Sequence, residues 1–442
     1  MSTLSVRNVT TPDGSPVSFP NGIRVGGAAG AGTVGSIGTP GQQGFGVGIA
    51  PSLPNGFSAM YGTTDPASDN YGNYVYSDGS VMVFIPAFFY KYGTGSNGLA
   101  LNVVDVKSFS AFADVGTAAA SGYALHRAFY NGGSIRPGVF VDKYLASNNN
   151  GVASSVKGGN PLSSAADHNP FSGLVGSPGN YCGAAIRAAK TRGTQFFCNS
   201  RFIHAALALL ANAHASAATS TAFCAWYSAS GTNFPKGNNN NALGDVNDPT
   251  LSFVSDGYPN ASKTGSANFF ARTTHNGQNN GVCDLNGNMW EINLGMTSNG
   301  TNFYLLKTSA DVSALTDGTS LATDAWGASG ITQNYDSIGA TYESLTASNS
   351  NKPFGSASQV LSAATSGTAW AAAGAGIPLA TGTGGSNQFG NDYMYDARPN
   401  ELCAISGGSW GDGSNAGVWA LNLNAVRGVS YFFVGFRAAS YL

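Results

Sequence analysis

The sequence predicts an α+β fold with two helices, a small antiparallel sheet and very long loops, preceded by a β-rich, Gly-rich N-terminal arm. Three observations carry this expectation. Two stretches near the middle have helical spacing with matching end signals. A few short runs are apolar enough to be buried strands. The segments between them are dominated by Asn, Gly, Ser and Asp.

In chain order, Leu4–Val9, Pro16–Phe19 and Ile23–Val25 read as strand-like pieces between turns of Pro, Gly and Asp. Gly26–Gly48 is too rich in Gly to pack a core of its own, and is expected to be a linker or a loop ordered by neighbouring subunits. Residues 1–76 are therefore expected to form an attachment and oligomerisation arm, followed by a domain over 77–442. Val81–Tyr92 reads as one strong buried strand and Pro137–Tyr144 as a second. Gly183–Arg192 reads as a short helix with Gly193 placed to cap its end. Another helix starts near Asn199 or Ser200, both good N-caps. In it Phe202, Ile203, Ala206, Leu209, Leu210 and Ala213 recur at the spacing of one buried face. Regular structure then thins out to about residue 280, and again over a long insertion at about 300–400; loops of such length are usually functional or wrapped around the fold. Val418–Leu423 and Tyr431–Phe436 give the last strand signals.

Composition narrows the functional classes. Of 442 residues 61 are Gly and only 10% are charged, against roughly 7% and 25% in ordinary globular domains. A surface of loops solvated by amides and hydroxyls follows. The net charge is −2 and no basic run is present, which argues against nucleic acid as a partner. No run of about 18 apolar residues occurs, so membrane insertion is not expected. Met1–Arg7 lacks the apolar core of a secretory signal, so a role outside the cell would follow release of assembled particles by lysis. Cys182, Cys198, Cys224, Cys283 and Cys403 lack paired spacing and read as small buried residues.

Several literal motif matches fail on context. Gly30-Ala-Gly-Thr-Val-Gly35 matches a dinucleotide fingerprint, but Ser-Ile-Gly-Thr-Pro-Gly follows where a helix is required. Gly407-Gly-Ser-Trp-Gly411 matches a nucleophile elbow, yet the last histidine is His275, so no acid and histidine can follow in the order that site needs. His126, His168, His204, His214 and His275 show no metal-binding grouping, and no carboxylate pair stands out.

Four pieces, in order, resemble the C-type-lectin-like fold in its formylglycine-generating-enzyme branch. They are Val83-Phe-Ile-Pro86, Phe140-Val-Asp-Lys-Tyr144, Gly281-Val-Cys-Asp-Leu-Asn-Gly-Asn-Met-Trp-Glu291, and Gly407-Gly-Ser-Trp410 with Val434-Gly-Phe-Arg437. Within that fold the C-terminal end is similar to the variable proteins of diversity-generating retroelements, a group that includes the phage major tropism determinant. The matching run is Gly407-Gly-Ser-Trp-Gly-Asp-Gly-Ser-Asn-Ala-Gly-Val-Trp-Ala-Leu-Asn-Leu-Asn-Ala-Val-Arg427, then Val434-Gly-Phe-Arg-Ala-Ala439.

The resemblance implies a variable receptor-binding segment at 407–437. In that group AAC codons mutate at adenine, and Gly411, Asp412, Ala425, Gly428, Val429, Tyr431, Phe432 and Phe433 are all reachable as NNC codons. Trp410 and Trp419 are not, and with Trp290 and Arg437 they are implied to be scaffold. Three adjacent aromatics in an extended segment cannot all face one way, so at least one of Tyr431, Phe432 and Phe433 should be exposed. A structural Ca2+ is implied at Asn286, Gly287, Met289 and Glu291, as oxygen ligands on a tight loop. Oxidase activity is not implied, because the enzyme branch uses a cysteine pair between GGSW and GFR and this interval has none. The implied role is a non-enzymatic adhesin, a homotrimer at a phage tail-fibre tip. It would contact a bacterial surface receptor, protein or glycan, and bind other tail proteins through its N-terminal arm. A cellular surface-displayed variable protein is the alternative.

Overall fold

The computed structural model describes residues 32–231, 233–316, 333–382 and 387–442. The strands expected at Leu4–Val9, Pro16–Phe19 and Ile23–Val25 lie outside these residues. Two six-stranded sheets organise the rest. The first runs in the order Phe57–Ala59, Asn73–Tyr76, Val81–Pro86, Gly138–Asp142, Ala438–Tyr441, Phe197–Cys198, all antiparallel. The second runs Ser350–Pro353, Tyr393–Asp396, Leu421–Asn422, Ile405–Ser406, Trp290–Ile292, Val434–Gly435, with two parallel pairings. The mix of sheets and helices is that of an α+β protein.

Val81–Tyr92 is two strands rather than one. Pro86 has no N–H to continue a ladder, and after Ala87 the chain turns into Phe88–Tyr92, which pairs with Val104–Ser108 and Ala124–Leu125 in a separate sheet. Gly138 sits where a Cβ would stand 2.3 Å from the Phe84 ring, so only Gly allows these two strands to pair closely.

Both expected helices form. Ala185–Lys190 follows a tight turn at Cys182–Ala184. Arg201–Ala217 is capped by Ser200, whose Oγ accepts the Ile203 N–H at 3.2 Å. The long helix was expected to bury one face, but every residue from Arg201 to Ala215 is buried. Its remaining faces carry Ala205, Ala208 and Ala211, small enough for neighbouring segments to close over them. Val115–Ala120 and Gly367–Gly374 are also helical, but short and without an apolar stripe that sequence spacing could reveal.

Two boundaries need correction. The separation of an arm at 1–76 from a domain at 77–442 cuts through the hairpin of Asn73–Tyr76 with Val81–Val83. The Gly-rich segment has no core of its own, yet Ile37, Phe45 and Val47 are fully buried in the main core. They are held there by residues distant in sequence. Gly41 N–H donates to His214 Nδ1 at 3.0 Å, Asn276 Nδ2 donates to the Phe45 carbonyl at 2.8 Å, and Phe45 stacks on His214 with centroids 5.3 Å apart. The 300–400 insertion is likewise integral. It supplies two strands of the second sheet, and Phe303, Phe354 and Met394 are fully buried.

The C-terminal strands are shorter than expected, Leu421–Asn422 and Val434–Gly435, and Ala438–Tyr441 lies inside the first sheet between Gly138–Asp142 and Phe197–Cys198. All five cysteines are free and buried. Among the described residues no helix is long and apolar enough to cross a membrane.

Candidate recognition surface

The frame beneath the C-terminal segment is a buried ion-pair network. Arg437 reaches from the last turn before Ala438–Tyr441 and donates through Nε and Nη2 to the two Glu291 oxygens at 2.5 and 2.7 Å. Its other donors go to the Asp142 and Cys283 carbonyls, each at 2.9 Å. Burial alone would push the guanidinium down, and the facing Glu291 carboxylate more than reverses this. A two-pronged fork of this kind fixes orientation as well as charge.

Over this frame residues 427–434 lie as a loop whose backbone is held from outside. The Arg427 and Val429 carbonyls accept the Gly183 and Cys182 N–H groups at 2.9 and 2.8 Å. Ser164 Oγ accepts the Tyr431 N–H at 2.9 Å, and the Ser164 N–H donates to the Val434 carbonyl at 2.8 Å. His168 Nδ1 lies 2.5 Å from the Phe432 carbonyl, and the Trp290 N–H donates to the Phe433 carbonyl at 2.9 Å. None of these bonds uses a side chain of residues 428, 429 or 431–433. These backbone bonds do not depend on which side chains stand at those positions, although Val429, Tyr431 and Phe433 also pack against the core.

The side chains build an aromatic patch. Phe432 is 39% exposed, while Tyr431 and Phe433 are half-buried beside it. The Phe432 ring lies 5.4 Å from Tyr258, 6.1 Å from Trp410 and 5.1 Å from Phe433. Tyr258 stacks on His168 at 4.2 Å, and His168 Nε2 is bonded to the Asp256 carboxylate at 2.8 Å. A rigid aromatic edge presented on a fixed backbone is suited to contact a partner.

Gly411, Gly428 and Phe432 are exposed, and Asp412, Val429, Tyr431 and Phe433 are half-buried. Ala425 is a correction: it is 2% exposed in the core, and its carbonyl accepts the Cys403 N–H. Asp412 is only partly available, since its carboxylate accepts both the Ser409 N–H and hydroxyl. Of the scaffold residues, Trp410, Trp419, Trp290 and Arg437 are all buried; Trp419 stacks on Phe354 at 5.0 Å.

The glycines of this stretch divide by the space around them. An added Cβ would meet Ala416 at 2.5 Å from Gly408, Asp392 at 1.8 Å from Gly417 and the Leu162 carbonyl at 2.4 Å from Gly435. At Gly428 it would meet nothing within 4 Å, and at Gly411 only Asn241 at 4.0 Å. Gly413 also has open space but stands at φ +60°, and Gly407 stands at φ +93°, where a side chain is strained. Larger side chains therefore fit best at the second pair.

The loop expected to hold calcium is tied by protein bonds instead. Both Glu291 oxygens face Arg437, Asn286 Oδ1 accepts from Asn239 Nδ2 at 3.0 Å, and the Gly287 carbonyl accepts the Met289 N–H at 3.0 Å. A hard cation needs six to eight free oxygens at about 2.3–2.6 Å. Asn286, Gly287, Met289 and Glu291 do not fit one.

Sequence reading did not find Ser164, His168, Asp256 or Tyr258. Their signal is faint: each is a single polar or aromatic residue in a loop, joined to the segment only by the fold.

No protein-family model matches this chain, and no curated protein matches it. One similar solved structure is titled Major Tropism Determinant U1 Variant. It shares 12% identity, covers 88% of this chain and 73% of its own, and superposes with a TM-score of 0.30, too loose an overlap to carry an argument.

Proposed function

We propose that this protein is a non-enzymatic receptor-binding adhesin of a phage tail fibre, acting through the loop at 428–433 and the adjoining Gly411–Asp412 turn. The supporting observation is the division of the glycines. Positions implied to vary, Gly411 and Gly428, have open space and no left-handed backbone. The fixed Gly408, Gly417 and Gly435 have no space, and the fixed Gly407 and Gly413 stand at φ +93° and +60°. With the loop backbone held by Ser164, His168, Cys182, Gly183 and Trp290, side chains can change while the frame stands. Phe432, with Tyr258 beside it, is the anchor that contacts a bacterial surface molecule. Assembly as a homotrimer would let modest single-site affinity give firm attachment, and the N-terminal residues would join it to other tail proteins.

Binding of the labelled, purified chain to a panel of intact bacterial strains tests this. Phe432→Ala should lower binding to a recognised strain by about thirtyfold, the loss typical of a central aromatic anchor. The unfolding transition should stay in place. Val175→Ala, at a residue 67% exposed elsewhere, should change neither. Binding that survives Phe432→Ala would remove the anchor and with it the reading.

A further inference from the structure

A second concave site lies away from the aromatic patch and shares no residue with it. It is a cavity of about 710 Å³ between the turn at Asp69–Asn70, the end of the strand Gly138–Asp142, and the segment Asn268–Arg272. That volume lies in the range that holds a drug-sized ligand, roughly 300–1,000 Å³.

Its chemistry is cationic and aromatic together. Lys143, 4% exposed, donates from Nζ to Asn73 Oδ1 and to the Asn279 carbonyl, both at 2.6 Å. An ammonium has three donors, so one remains. Lys157 lines the same cavity, and among the described residues it makes no hydrogen bond or ion pair. Both ammonium groups share the ring of Phe270, at 5.4 and 5.1 Å from its centroid. Arg272 is already committed to Asp248 at 2.8 Å, and its guanidinium lies 4.6 Å from the Phe269 ring, which is 48% exposed. Asp69 is the one acid in the lining, so the two lysines leave the cavity positive. Burial pushes Lys143 down to about 8, a cost that an anion beside it would relieve.

Asn70 and Asn279 each donate once, to the Tyr61 carbonyl and to Asp69, and the Asn268 side chain holds Ser252, Phe269 and Thr250. A bare anion would use the lysines but leave without a role the exposed Phe269 face and the amide positions not already bonded. A ligand with a charged group, a flat apolar face and several hydroxyls uses all of them. We infer that this cavity binds an anionic saccharide, with its carboxylate or phosphate at Lys143 and Lys157 and a sugar face against Phe269.

Titration of the full-length chain, followed by calorimetry or ligand-observed NMR, tests this with four probes. These are oligogalacturonate for the carboxylate, glucose 1-phosphate for the phosphate, maltotriose as a neutral sugar, and inorganic phosphate as a bare anion. One of the charged sugars should bind at least about tenfold more tightly than maltotriose and than inorganic phosphate; which of them does identifies the anionic group. Lys157→Met and Phe269→Ala change exposed side chains, so both should fold. Each should weaken that sugar by about tenfold, while Phe432→Ala should leave it unchanged. The inference is overturned if no charged sugar binds, if maltotriose or inorganic phosphate binds as tightly, or if Lys157→Met has no effect. Loss of cell binding in Phe432→Ala reports on the other surface alone, so the two readings can fail separately.

Discussion

Arg437→Met should destabilise the protein by about 3–5 kcal/mol, because it strands the Glu291 carboxylate, fully buried, without its partner. That is a large share of the roughly 5–15 kcal/mol that keeps a typical domain folded. The same guanidinium also satisfies the Asp142 and Cys283 carbonyls, so its loss leaves acceptors unpaired in both the first sheet and the loop before Trp290. Replacing both partners, as Arg437→Met with Glu291→Gln, should recover part of the loss, since no charge is then left buried. Urea unfolding followed by tryptophan fluorescence would measure this. A midpoint for Arg437→Met equal to the parent's would show that the fork does not hold the frame.

Stability should also fall steeply as the pH drops from about 6.5 to 4. Burial pushes His126 down to about 3, and His214 and His275 down to about 4, against an ordinary value of 6.5. Each ring uses Nδ1 as an acceptor: for the Ala128 N–H in His126, the Gly41 N–H in His214 and the Val282 N–H in His275. A protonated ring has no acceptor to offer, so only the neutral form fits. The sign follows. The unfolded chain takes up these protons near pH 6.5 and the folded chain does not. The stabilisation is therefore complete above 6.5 and is lost as pH falls towards the folded values. At about 1.4 kcal/mol for each pH unit, three drops of about 2.5 to 3.5 below the ordinary value sum to roughly 10 kcal/mol. Asp142, Asp245, Glu291 and Asp392, whose carboxyls are pushed up by burial, work in the opposite direction and offset part of this. His275→Asn isolates one member: it keeps a donor and an acceptor but binds no proton. Its stability should vary less with pH than the parent's, by up to about 1.4 kcal/mol per pH unit. Parallel pH profiles would refute the assignment.

What was legible in the sequence was local. Ser200 and the apolar spacing after it place the long helix, because a cap and a buried stripe are decided within a few residues. Three adjacent aromatics at 431–433 force one outward, and Phe432 is that residue. What was not legible depends on partners far along the chain. Phe45 is in the core because His214 and Asn276 hold its segment, and no count of glycines reveals that. Ala425 can be encoded as variable yet is packed under the sheet, since a small apolar residue looks the same in a loop and in a core. Glu291 looks like a metal ligand until Arg437, 146 residues away, is seen to occupy both its oxygens.

The strand Gly138–Asp142 has one neighbour, Val81–Pro86, that is made before it, and another, Ala438–Tyr441, that is made long after. Asp142 and Arg437 are 295 residues apart, which at about 5–20 residues per second means a wait of roughly 15–60 s on the ribosome. Through that interval a strand built from Val139, Phe140 and Val141 keeps an unpaired edge, the arrangement most prone to misjoin with another nascent chain. Efficient production should therefore depend on a holding chaperone that shields this edge until the final residues emerge, and slower translation should worsen misjoining.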